Sequence, residues 1–389
     1  MATEQRNESS NLTRRQILAA GLAAAAGTAV ITGFPAILRA EDKSGTKPLI
    51  VGSGDHTYEW QDNWAKLPEG KKFGNTHAVC EVEDGRIFIH NVSPTGDATC
   101  VFDPKDGKFI TSWGKEFAKG AHGMDLRKEG NTEYLYLAPT GMHKAFKTTL
   151  TGEVVLTLDY PKMAKNDKGE LCYQDADVKG KDGKITHKTG EAAYVPTFTA
   201  LAPNGDFYVT DGYGAGYIHR YNIKGEYVST FGGKGSADDK TACPHGIYCD
   251  MRDPNKPMLV VADREHHRLQ YFTLEGKLDH LVKNEKPEQD ANDNGMLRRP
   301  CHFSIRGTEM VIPDLRGRVT ILDKDNKAIV QLGDNPDPKQ RANNGVPIAA
   351  TKPGVFCTPH GATFDRAGNI YVAEWLPYGR VTKLKKVSA

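Results

Sequence analysis

Apolar and polar positions along this chain alternate with period two, in short runs set between Gly, Asn and Asp residues. Asp206-Phe207-Tyr208-Val209-Thr210 and Asn369-Ile370-Tyr371-Val372-Ala373 show the pattern. Alternation of this kind predicts strands with one face buried, and long segments of helical period are missing. The expectation is therefore an all-β protein.

Superimposing the runs reveals a repeat. Each unit opens on a small motif, continues through an apolar strand and an Asp/Asn-Gly turn, and reaches a second strand ending x-V-x-D. A third strand rich in Arg and aromatics follows, then a Gly turn and a fourth strand. The clearest copy starts at Pro196-Thr197-Phe198 and runs to Phe231-Gly232; others start at Cys243-Pro244-His245-Gly246 and Thr358-Pro359-His360-Gly361. Weaker copies start at His77, at His122 and near Pro300-Cys301-His302. Six four-stranded units predict a six-bladed β-propeller, because radial repetition leaves only short, protected sheet edges. From His77 to His360 the average step is about 57 residues, longer than the ~40–50 of common blade repeats. The excess is assigned to insertions, chiefly the polar segment 161–193. Residues 41–389 are read as one propeller.

Residues 1–40 differ from the rest. Arg14-Arg15 is followed by Ile17-Leu18, an Ala/Gly-rich apolar stretch and Leu38-Arg39-Ala40. That order of charged, apolar and small residues predicts a cleaved signal peptide, and the arginine pair resembles a twin-arginine export signal. The expected location is periplasmic or secreted, with no membrane association after cleavage. The full chain has 51 Lys+Arg against 49 Asp+Glu. Removing residues 1–40 takes away four Arg and two Glu, leaving 47 of each. A neutral chain argues against nucleic acid as a partner, since phosphate binding needs a concentrated basic surface. The expectation is a monomer acting on a small-molecule or peptide-derived substrate. Seven cysteines, none in a C-x-x-C pair, exclude a zinc knuckle, and their odd number leaves at least one thiol outside any internal pairing.

In a propeller the innermost strands line the axial channel, so equivalent positions from successive blades form a ring. Aligned on the Pro-x-Gly motif, the six blades contribute His77, His122, Thr197, His245, Cys301 and His360. Blades two, four and six thus supply His122, His245 and His360, each followed by Gly. Three neutral imidazoles spaced around an axis suit Zn²⁺ with an open fourth position; hydrogen bonding across the channel is the bland alternative. Tyr213 follows strand two of blade three and Arg264 holds the matching place in blade four. A phenol of lowered pKa beside the metal and an arginine could act as a base while the arginine holds a carboxylate. The acidic residues closing strand two (Asp211, Asp263, Asp314, Glu374) recur with the blade and are read as loop caps. His302 is expected to face the channel without a partner, His266-His267 to form an exposed turn, and Asp55-His56 to lie at the rim of the first blade.

These residues together resemble the NHL-repeat propellers and, among them, the peptidyl-α-hydroxyglycine α-amidating lyases, over roughly residues 50–385. The resemblance rests on Pro244-His245, Pro359-His360, Ala121-His122-Gly123, Thr210-Asp211-Gly212-Tyr213 and Ala262-Asp263-Arg264-Glu265. It implies one zinc on His122, His245 and His360, with Tyr213 and Arg264 catalytic, and cleavage of an N-acyl α-hydroxyglycine to an amide and glyoxylate. A structural Ca²⁺ also belongs to that pattern. The chain departs from it at Ser53, where the family has a second essential arginine, at Thr358 for a methionine, at Gly361 for the acidic residue associated with calcium, and at Gly214 for a cysteine. A non-catalytic NHL propeller binding a protein or glycan on its rim is the alternative reading. A calcium-dependent lactonase-type propeller would need carboxylates and amides at channel positions that here read His, Cys and Thr.

Overall fold

Turn chemistry sets the blade. In a computed structural model, which describes residues 38–39 and 47–387 apart from 180–183 and 292, the third strand of each of the first five blades turns into the fourth at Gly107, Gly152, Gly225, Gly276 and Asn326. All five have φ between 60° and 90°, a left-handed conformation that glycine and asparagine adopt most readily. A register shift precedes each of these turns, as between Arg220 and Tyr221 in blade three.

The strands assemble into six antiparallel sheets arranged as a six-bladed propeller. Five are four-stranded, formed by strands within residues 76–113, 123–158, 198–232, 244–283 and 304–332. The sixth is made from both ends of the described chain. Pro359–Phe364, Ile370–Glu374 and Arg380–Lys386 supply its inner three strands, and His56–Gln61 adds the fourth, with Lys383 opposite Gln61 and Lys386 opposite Tyr58. Leu49–Ser53 and Leu38–Arg39 extend its outer edge. Asp55-His56 therefore turns at the outside of the last blade, where His56 Nε2 meets Glu309 Oε1 at 2.8 Å, and not at the rim of the first.

Within 161–193, the hairpin Ala176–Lys179 with Ile185–Lys188 pairs with no blade, and a short helix at Gly190–Ala193 leads back into blade three. The export-signal reading concerns residues that lie outside the described ones, except Leu38–Arg39. Among the described residues no helix is long and apolar enough to cross a membrane.

The core lies between neighbouring sheets. Phe198, Tyr208 and Ile218 of blade three pack on Ile247, Leu259, Val261 and Phe272 of blade four. Blade five meets the closing blade through Val311, Ile321, Ile370, Val372 and Leu384. Side chains alternating on each strand thus bury both faces of each sheet. All seven cysteines are unpaired, six of them buried.

Candidate metal centre on the propeller axis

Three innermost strands begin with a distortion that turns one residue toward the axis. The ladder skips His77, His245 and His360, each between paired neighbours (Thr76 and Ala78, Pro244 and Gly246, Pro359 and Gly361). Such a bulge re-aims a side chain without breaking the sheet. His122 immediately precedes its strand.

The glycines after three of these histidines are needed for close approach. A Cβ on Gly246 would lie 2.4 Å from the carbonyl oxygen of Cys301, and one on Gly361 would lie 2.4 Å from that of His77. Gly123 meets the Thr197 carbonyl at the same distance. Blades two, four and six thus give up a side chain so that the inner strands of blades three, five and one can close in. Those strands carry Phe198, His302 and Ala78 at the matching places.

The approach also orients the imidazoles. His122 Nδ1–H donates to the Thr197 carbonyl (2.8 Å) and His360 Nδ1–H to the His77 carbonyl (3.0 Å). A proton fixed on Nδ1 leaves the Nε2 lone pair free for a ligand. The blade acids secure the preceding backbone: Asp263 accepts from Ala242 N and Cys243 N, Asp314 from Arg298 N, and Glu374 from Cys357 N and Thr358 N. Arg268, Arg318 and Arg380 pair with these carboxylates. These three acids act as the loop caps their recurrence suggested.

His122, His245, His302 and His360 are buried, and one nitrogen from each lies within 4.8 Å of the others. Burial pushes all four below the ordinary imidazole range, and neighbouring cationic or imidazole groups add to the effect, so each is neutral, the form that binds metal. His302 Nε2 is buried without a hydrogen-bond partner. An assembly of neutral imidazoles with an orphaned ring nitrogen fits a divalent cation of borderline softness. It is the one such cluster among the described residues, and no carboxylate belongs to it.

Tyr213 closes the cluster from one side. The residue presents 41% of its surface to solvent, yet its hydroxyl end is turned inward. Tyr213 Oη lies 3.1 Å from His122 Nε2 and 2.9 Å from His245 Nε2, and accepts from Arg264 Nη1 at 3.1 Å. One hydroxyl proton cannot serve both imidazoles. Burial raises the Tyr213 hydroxyl above the ordinary phenol range while the Arg264 guanidinium pulls it back, so these protein groups alone do not produce the lowered pKa expected of it. Arg264 also pairs with Glu265 (2.9 Å), which Arg299 Nη2 holds from the other side (2.8 Å).

All five sequence-derived residues, His122, His245, His360, Tyr213 and Arg264, therefore meet in one place. His302, expected to face the channel without a partner, faces it as a member of the cluster, and two further participants were not singled out from the sequence. Alignment placed Cys301 at the channel position of blade five, but its Sγ turns to the Arg299 carbonyl and the next residue, His302, faces the axis. The signal was there: Cys301 is not followed by glycine. Arg299 joins through Glu265, which the repeat did not single out. Tyr173 of the insertion donates to Asp211 Oδ2 (2.8 Å), replacing the arginine that serves the other blade acids. Asp211 in turn accepts from Val195 N (2.7 Å), and the Val195 carbonyl receives Tyr213 N–H. His266 binds Asp263 in a half-buried turn.

No family model matches the chain. Over 367 residues it is 25% identical to peptidyl-alpha-hydroxyglycine alpha-amidating lyase 1 of Drosophila melanogaster, covering 83% of this chain and 59% of that protein. A probable lyase of the same name from Caenorhabditis elegans is 23% identical over 240 residues, 60% of this chain and 59% of its own length. The chain thus spans about three-fifths of the length of these curated relatives. Among solved structures, a streptogramin B lyase superimposes with a TM-score of 0.51 at 13% identity, over 84% of this chain and 97% of that one, a likeness of fold. The chain is a six-bladed propeller similar to the amidating lyases.

Proposed function

We propose that this protein is an exported, zinc-dependent lyase of the amidating type, acting on an N-acyl α-hydroxyglycine or a related small hemiaminal. The observation that carries the reading is the convergence of Tyr213 Oη on His122, His245 and Arg264 within 3.1 Å. A hydroxyl and a guanidinium directed at a cluster of neutral imidazoles suit a proton transfer beside a Lewis acid better than a rim-binding scaffold, which needs no buried histidines.

His122, His245 and His360 would hold the ion, which when bound supplies Lewis acidity toward a substrate hydroxyl. Tyr213 Oη is placed to take the hydroxyl proton. As the C–O bond becomes C=O, the C–N bond breaks and its electron pair stays on nitrogen. One proton returned to that nitrogen completes the amide, and the other product is glyoxylate. Electrons and protons balance without a redox partner. Arg264, partly neutralised by Glu265, offers its remaining donors to the substrate carboxylate.

Export rests on Arg14-Arg15 and the apolar segment after them, and would deliver the folded propeller to the periplasm or beyond. The test combines metal analysis with glyoxylate release from α-hydroxyhippurate. Wild-type protein should carry one zinc and turn over. Tyr213→Phe should keep the zinc and lose about 10²–10⁴-fold in kcat. Wild-type protein that remains metal-free when offered zinc would end this reading and favour the rim-binding one.

A further inference from the structure

The channel holds one more imidazole than a three-histidine site needs. Ring centroids of His122, His245, His302 and His360 lie 4.6–4.8 Å apart in all six pairings. Four points mutually equidistant define a tetrahedron, so His302 stands to the other three as they stand to each other. It is no bystander at the margin. His77 is different: its ring lies 4.9 Å from His122 and 4.6 Å from His360, but it is outside the group whose nitrogens converge.

His302 occupies the side of the cluster away from Tyr213. It lines a cavity of about 170 Å³ running along the axis with Ala78, Met124, Phe198 and Gly361. The Phe198 ring packs 4.4 Å from it. Its Nδ1–H donates to the His77 carbonyl at 3.3 Å, the same acceptor that His360 uses. That bond leaves Nε2 deprotonated, buried and without a partner. An aromatic wall behind the ring and a proton fixed on Nδ1 are what an imidazole ligand requires.

We infer that His302 is a fourth protein ligand, so that this propeller binds its metal through four imidazoles. The inference rests on the metal reading of the same site and deepens it. The accessible face of such a site is the His122–His245 edge, which Tyr213 Oη spans. A substrate oxygen would enter there as a fifth donor, an expansion that zinc tolerates. With four neutral ligands the site keeps the full charge of the cation, and Arg264 adds to it, which favours a substrate carrying a carboxylate.

X-ray absorption on the zinc-loaded wild-type protein counts imidazoles without any variant. Four support the inference and three overturn it. In parallel, chelator-stripped wild-type protein and His302→Ala are titrated with Co²⁺, their folding compared by thermal melts. Losing a group that merely supports a ligand already costs roughly 10–100-fold in metal affinity, so losing a ligand should cost upwards of about 100-fold. The visible Co²⁺ bands should shift as water replaces nitrogen. Superimposable spectra with affinities within threefold would show that His302 is no ligand while leaving the three-histidine reading intact. Wild-type protein that binds neither ion would overturn both.

Discussion

Even and odd blades share a backbone but treat the axis in opposite ways. Blades two, four and six follow the axial histidine with a glycine; blades one, three and five carry His77-Ala78, Thr197-Phe198 and Cys301-His302. The glycine gives up bulk, and the adjoining odd strand uses the space while returning a carbonyl that fixes His122 or His360. Neither set would make the centre alone. The difference teaches that the alternate-blade pattern of histidines is a packing solution as much as a ligand set.

The comparison can be broken most severely at a ligand. His245→Ala should abolish metal binding and turnover, whereas His77→Ala, which removes an equally buried odd-blade imidazole, should leave metal stoichiometry unchanged; elemental analysis of both variants decides. A smaller effect is expected at the contact between blades. Gly246→Ala drives a Cβ against the Cys301 carbonyl, a backbone atom that cannot swing away. It should cost about 2–3 kcal/mol, seen as a lower denaturation midpoint, while Ala78→Gly at an odd blade should cost under about 1 kcal/mol.

The mildest test concerns the acid clasps. Blade four secures Asp263 with Arg268, whereas blade three secures Asp211 with a phenol from the insertion. Tyr173→Phe should cost about 1 kcal/mol and hasten proteolysis within 161–193. Burial pushes Asp211 up to about 7, and the Tyr173 hydroxyl works against that rise. Removing the hydroxyl therefore moves the carboxyl higher still. Its loss is felt where the carboxylate is ionised, above about pH 7, and fades as pH falls and the group takes a proton. Melting curves at pH 5.5 and 8.5 should show the larger gap at 8.5.

The blades were legible because period-two runs, Gly turns and acid caps recur at nearly every copy, so each weak signal reinforced the next. His122, His245 and His360 stood out for the same reason. His302 was expected in the channel but without a partner, because a one-residue offset put Cys301 in the aligned column, and only the three-dimensional packing brings its nitrogen to the other three. The closing blade showed only three strands after Thr358. Its fourth pairs across more than 300 residues, beyond the reach of any local pattern. Tyr173 lay in a segment whose composition reads as loop, with no repeat to mark it.

Closure of the ring has a temporal consequence. Its last sheet joins His56–Gln61 to Arg380–Lys386, the kind of distant pairing that slows folding because a long loop must be ordered before the contact repays it. A growing chain possesses every one of the axial histidines before residue 380 is made, and residues 359–374 can already reach the first blade through His360 and Thr76, but the strand that ties the last blade to His56–Gln61 is still missing. The centre is accordingly a late product of folding. Metal would be held most firmly by finished molecules, and a chain interrupted a few residues short of that strand would carry all the ligands in a ring whose closing blade lacks its third strand, with the fourth detached from the inner two.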